Sequence, residues 1–136
     1  MGKYEIAFDV AMIMDANESY GNVILEKSLE FAVRVVKFYK LKIKNNFEIE
    51  SVFKQLLRSG TSIGANVSEA QDAESKSDFI HKLMIALKEA RETNYWLIIL
   101  NKSEIISEKE FKSLVTDCTE LIKILISIIK KAKRIK

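Results

Sequence analysis

His81 and Cys118 are the single histidine and the single cysteine of this 136-residue chain, so metal and thiol chemistry can begin only there. A di-iron site in a helical scaffold needs a Glu from each of two helices and two Glu-x-x-His motifs. Asp78-x-x-His81 is the one near match and has no second copy, so His81 is expected to face solvent. Cys118 falls in helical phase with Val115 and Ile122, which makes it a small core hydrophobe. Nothing around it would depress its thiol pKa. Gly60 and Gly64 form no phosphate loop, since no Walker lysine follows them and no strand precedes them. Glu89 and Glu92 are expected as helix-surface charges, not as a paired acid and base. The chain is therefore read as a non-enzyme with no cofactor or metal.

The cations need a separate weighing. Arg34, Lys37, Lys40, Lys42 and Lys44 form one acid-free run, and Lys123, Lys130, Lys131, Lys133, Arg134 and Lys136 form another. Such runs can neutralise phosphates. Lysines near helix C-termini also suit the helix dipole, which is the blander explanation. In an antiparallel bundle each basic end would meet acids: Glu48, Glu50, Glu108 and Glu110 at one, Glu69, Asp72, Glu74 and Asp78 at the other. Lys54, Arg58, Lys82, Lys88 and Arg91 lie along the middle of the second and third helices. The candidates for touching nucleic acid are Arg34, Lys37, Lys54, Arg58, Lys82, Lys88 and Arg91. Arg58 and Arg91 stand out because a guanidinium fork binds phosphate or carboxylate. Their competing reading is an ion pair with Glu89 or Glu92. A net charge of +3 is too mild to argue for nucleic acid alone.

The elements that position these residues follow from composition and periodicity. Hydrophobic residues make up 48% and charged residues 30% of the chain, with no proline and four glycines. That composition suits an all-α domain. Four apolar stripes at steps of three and four predict four helices. The first spans about Asn22–Lys44. The second carries Ile49, Val52, Phe53, Leu56, Leu57, Gly60, Ile63, Gly64 and Val67 without a phase slip. It is read as continuous, with both glycines on its buried stripe and Ala86 and Ala90 of the third helix as their close-packing partners. Ser75 with Asp78 and Ser107 with Glu110 resemble capping boxes opening the third and fourth helices. Short connections predict an antiparallel up-down-up-down four-helix bundle over residues 22–136. Residues 1–21 form an N-terminal extension, either a short helix built on Met12, Ile13 and Met14 or a mobile arm.

Glu5, Asp9 and Asp15 interrupt the apolar start, and Lys123 interrupts the run near the C-terminus, so no membrane span is expected. A lone cysteine and no recognisable secretory signal point to a reducing cytoplasm.

Two helices carry more apolar surface than one core uses. Tyr95, Trp96, Ile98 and Ile99 join Leu97 and Leu100 in the third helix, and Ile124, Ile126 and Ile128 surround Leu125 in the fourth. A helix apolar all round is buried on all sides, which in a small bundle implies a partner. A second copy of the chain is the economical one, with Tyr95, Trp96 and Ile99 as interface candidates. The alternative is that the N-terminal segment covers this surface.

The segments EKSLEFAVRVVKFYK, QLLRSGTSIGANVSEA, SKSDFIHKLMIALKEARETNYWL and DCTELIKILISIIK resemble the four-helix-bundle proteins encoded in intervening sequences of 23S ribosomal RNA genes. The combination of Ser62, Ala65, Asn66, Glu69 and Ala70 with Ser75–Phe79 carries most of the likeness, and Ser62, Asn66 and Glu69 are expected to tie the bundle together. The resemblance covers nearly everything after Asn22; the extension before it has no counterpart. It implies an antiparallel four-helix bundle and a homopentameric ring. It also implies a relation to the accessory variability determinant of diversity-generating retroelements, which binds nucleic acid and a reverse transcriptase through a basic barrel surface. It brings no catalytic residues. The expected function is a non-enzymatic homo-oligomeric bundle binding RNA or a nucleoprotein partner through a basic surface. The alternative is a protein-only scaffold or adaptor that binds no nucleic acid.

Overall fold

The computed structural model describes the backbone of residues 18–135 and the side chains of residues 23–135. The expectations for residues 1–17, including a helix at Met12 to Met14, lie outside the described residues. Four helices follow one another: α1 (Glu18–Ile43), α2 (Glu50–Ala70), α3 (Lys76–Lys102) and α4 (Glu108–Arg134). A 3-10 turn at Phe47–Ile49 leads into α2, and the described residues contain no strand. Each helix packs on the next and α4 closes on α1, giving an up-down-up-down bundle. The α1–α4 contact is the slightest of the four. α1 is helical from Glu18, a few residues before the start expected at about Asn22.

The helix ends carry the expected signals. Ser107 Oγ accepts the Glu110 N–H at 3.1 Å, and Glu110 Oε1 accepts the Ser107 N–H at 2.9 Å, a complete capping box. At α3 only half of the box forms. Ser75 Oγ accepts the Asp78 N–H, but the Asp78 carboxylate accepts from the amide of Glu74. α3 closes at Glu104, whose φ of 60° turns the chain where the Ser103 amide donates to the Ile99 carbonyl.

The centre of the expected stripe on α2 is buried, whereas Ile49, Val52, Leu57 and Gly64 are half-buried. Phe53, Leu56, Gly60, Ile63, Val67 and Ala70 face the core with Phe79, Leu83, Leu97, Leu114, Leu121 and Leu125 from α3 and α4. The helix runs unbroken through Gly60 and Gly64, but these glycines do not face Ala86 and Ala90. A Cβ on Gly64 would sit 3.1 Å from the Ser28 carbonyl oxygen, and one on Gly60 would sit 2.9 Å from Val35 Cγ2. Both positions therefore admit α1, not α3. Periodicity shows which stripe is buried; it does not show which neighbour lies on either flank of that stripe.

Two further expectations are corrected. Ser62 Oγ donates to the Arg58 carbonyl and Asn66 Nδ2 to the Ser62 carbonyl, both inside α2. They tie the helix to itself; only Glu69 reaches another helix, 3.5 Å from Lys82 of α3. Late in α4, Ile124 and Ile128 are buried within the single chain and Ile126 is half-buried. That apolar excess needs no second subunit.

Candidate nucleic-acid interface

Helices place the sequence-derived cations on several different surfaces. Arg34 lies in the α1–α4 seam, where Nη1 meets Asp117 Oδ2 at 2.5 Å and Nη2 donates to Ser113 Oγ at 2.6 Å. Lys27 meets Glu120 in the same seam at 2.6 Å, and this hydrogen bond raises the lysine pKa. A cleft of about 240 Å³ lies between these pairs. Lys54 meets Glu50 one turn away at 3.1 Å, and its hydrogen bond to that carboxylate raises the lysine pKa. Lys82 reaches Glu69. Arg58 bridges α2 to α3, with Nη1 3.2 Å from Glu89 and Nη2 on Glu92. Burial opposes the Arg58 charge, but the two carboxylates outweigh it and raise its pKa. Of the two readings for Arg58, the ion pair is the one present. Lys37, Lys88 and Arg91 make no ion pair with another described residue.

Lys88 and Arg91 come together on the outer face of α3. Every exposed residue of that helix lies on one stripe: Ser77, His81, Met84, Lys88, Arg91, Tyr95, Ile98 and Lys102, at alternating steps of four and three. The stripe contains no acid. Asp78, Glu89 and Glu92, the acids of α3, sit off it, with Asp78 at the helix start and the two glutamates held by Arg58. Tyr95 is 55% exposed and packs edge-on against Trp96, ring centroids 5.2 Å apart. Of the three interface candidates, Tyr95 alone is exposed; Trp96 and Ile99 are half-buried in the single chain.

The side chains that could have supported catalysis are placed elsewhere. Cys118 is fully buried, donates to the Ala90 carbonyl and has its pKa pushed up to about 12 by burial. His81 is exposed. No three His, Cys, Asp or Glu among the described residues are grouped to hold a metal ion. No helix of the described residues is long and apolar enough to cross a membrane.

The family model described as 23S rRNA-intervening sequence protein matches residues 21–127. The chain belongs to that family. A crystal structure from Bacteroides thetaiotaomicron, of a protein of unknown function from the S23 ribosomal protein family, is 54% identical. The match covers 82% of this chain and 98% of that one, with a TM-score of 0.78. No curated protein matches.

Two surfaces are visible in the fold that apolar periodicity alone does not reveal. One is the acid-free stripe as a unit, including His81, Ile98 and Lys102. Its signal in the sequence is the polar side of α3, traced as closely as the apolar side. The other is on α1, where Leu29, Val33, Val36 and Leu41 are exposed. The general apolar content of a long helix conceals them.

Proposed function

We propose that the protein is a non-enzymatic homo-oligomer that binds RNA through the outer face of α3. The carrying observation is the acid-free stripe, in which Lys88 and Arg91 stand unpaired beside an exposed tyrosine. Cations neutralise phosphates, and an exposed aromatic ring offers an unpaired base a stacking surface. Arg58 supports the arrangement from behind by holding Glu89 and Glu92 away from that face. Family membership makes RNA the first polymer to test, and the family resemblance makes a ring of five subunits the expected assembly. A ring would repeat the stripe five times and join modest patches into one multivalent surface.

Filter binding with single-stranded and hairpin RNA across a salt series tests the reading. Affinity should fall steeply with salt, and Lys88→Ala with Arg91→Ala should lower the salt slope by about 2. Tyr95→Ala should weaken binding to single strands by about 1–3 kcal/mol for each base unstacked. Absence of binding at low salt would overturn the reading. A partner then captured equally well with and without nuclease would favour the protein-only scaffold.

A further inference from the structure

Four of the large apolar side chains exposed on the described surface belong to α1: Leu29 at 64%, Val33 at 45%, Val36 at 48% and Leu41 at 65%. Exposed leucines and valines clustered on one helix mark an interaction surface. The groove beside them, about 510 Å³ between α1 and α2, is lined by Leu25, Leu29, Ala32 and Gly64 and continues the apolar strip.

The charges beside this strip indicate its occupant. Glu26, Glu30, Val33, Lys37, Lys40 and Lys44 follow one another at steps of four and three, and all are exposed. None of these five charged residues makes an ion pair with another described residue. The order is two acids, a central valine, then three bases. From Glu26 to Lys40 the reversed order is the complement of the forward one, and Lys44 lies beyond the match. A second α1 laid antiparallel about Val33 sets Glu26 against Lys40 and Glu30 against Lys37. A parallel copy would set like charges together. Self-complementarity under reversal is the requirement of a two-fold interface, where one patch meets itself.

We infer that α1 is a two-fold self-association surface, whose occupant is the antiparallel α1 of a second copy of this chain. It rests on the homo-oligomeric reading above and adds a contact that a ring of five cannot contain, because such a ring has no internal two-fold axis. The contact joins two single chains, or one ring to another.

Native mass spectrometry of the intact protein reads the outcome directly. Wild type should give an even number of 15.6 kDa chains, two or ten. Glu26→Lys with Glu30→Lys should halve the mass, and adding Lys37→Glu with Lys40→Glu should restore it. Circular dichroism should show all three proteins equally helical, since these side chains are exposed and unpaired within the chain. A wild-type mass of five chains would overturn this contact and leave the ring intact, whereas a monomer would overturn both. Failure of the four-fold charge swap to restore the mass lost in the two-fold one would also overturn it.

Discussion

Cys118 shows how much a single side chain depends on its surroundings. Its Sγ donates to the Ala90 carbonyl across the α3–α4 interface, in a site from which solvent is excluded. Burial raises the thiol pKa to about 12, so the folded protein holds that proton more tightly than the unfolded chain does. The contribution to stability is complete below the unfolded thiol pKa and is lost as pH rises from there through about 12. Urea melts should therefore weaken above about pH 9, with a limiting slope near 1.4 kcal/mol per pH unit from this group. Native Cys118 should also resist iodoacetamide at pH 8 and react only as fast as the bundle opens. Arg58 carries the residue-scale prediction for function. Arg58→Ala frees Glu89 and Glu92 beside Lys88 and Arg91, so RNA affinity in filter binding should fall on the order of fivefold. That loss should occur without removal of any phosphate contact. Sequence spacing is enough to raise the Arg58 pairing with Glu89 or Glu92. It does not show that Lys88 and Arg91 stay unpaired, because pairing depends on rotamers and on the neighbouring helix.

At the scale of the helix, the crossing of α1 over α2 depends on Gly64. A Cβ there meets the Ser28 carbonyl oxygen at 3.1 Å, a backbone atom that can move only with its helix. Alanine would gain about 1 kcal/mol of helix propensity but would have to push the two helices apart. Overpacking of this kind costs about 1–3 kcal/mol, so Gly64→Ala should be destabilising by about 1 kcal/mol net in a denaturant melt. Apolar phase, a capping box at Ser107 and the absence of proline make the four helices legible in the sequence alone. The partner of Gly64 is not legible there, since a buried stripe faces two neighbours and periodicity does not rank them. For the same reason Ile124 and Ile128 read as surplus surface, although the chain buries both. Exposed hydrophobics on α1 are hidden in the opposite way: a helix can carry enough leucine and valine to fill its core stripe and leave others outside.

At the scale of the whole molecule, the bundle is closed unevenly. α2, α3 and α4 pack tightly in sequence, while α1 and α4 touch least and are joined by Lys27–Glu120, Arg34–Asp117 and Lys42–Glu110. Burial alone would raise the Glu110 carboxyl, but hydrogen bonds from Lys42 and from the Ser107 amide hold it below the usual range. One glutamate thus caps α4 and fastens the end of α1. Lys27 and Arg34 are partly exposed, so salt should loosen their part of the seam. Hydrogen exchange followed by mass spectrometry should find the α1 amides between Val23 and Ile43 the least protected of the four helices. Their protection should fall further near 1 M salt, while α3 stays unchanged.

The same uneven closure bears on the order in which the molecule assembles. A chain leaves the ribosome from its N-terminus, so α1 emerges before either helix it must pack against. Its one strong neighbour, α2, follows at once, but the acids that fasten its other side (Glu110, Asp117 and Glu120) are made only after α2 and α3. Of the four described helices, the first to be synthesised is therefore the last to be secured. Until then its exposed leucines and valines are open to whatever else is being made nearby, including another copy of the same chain.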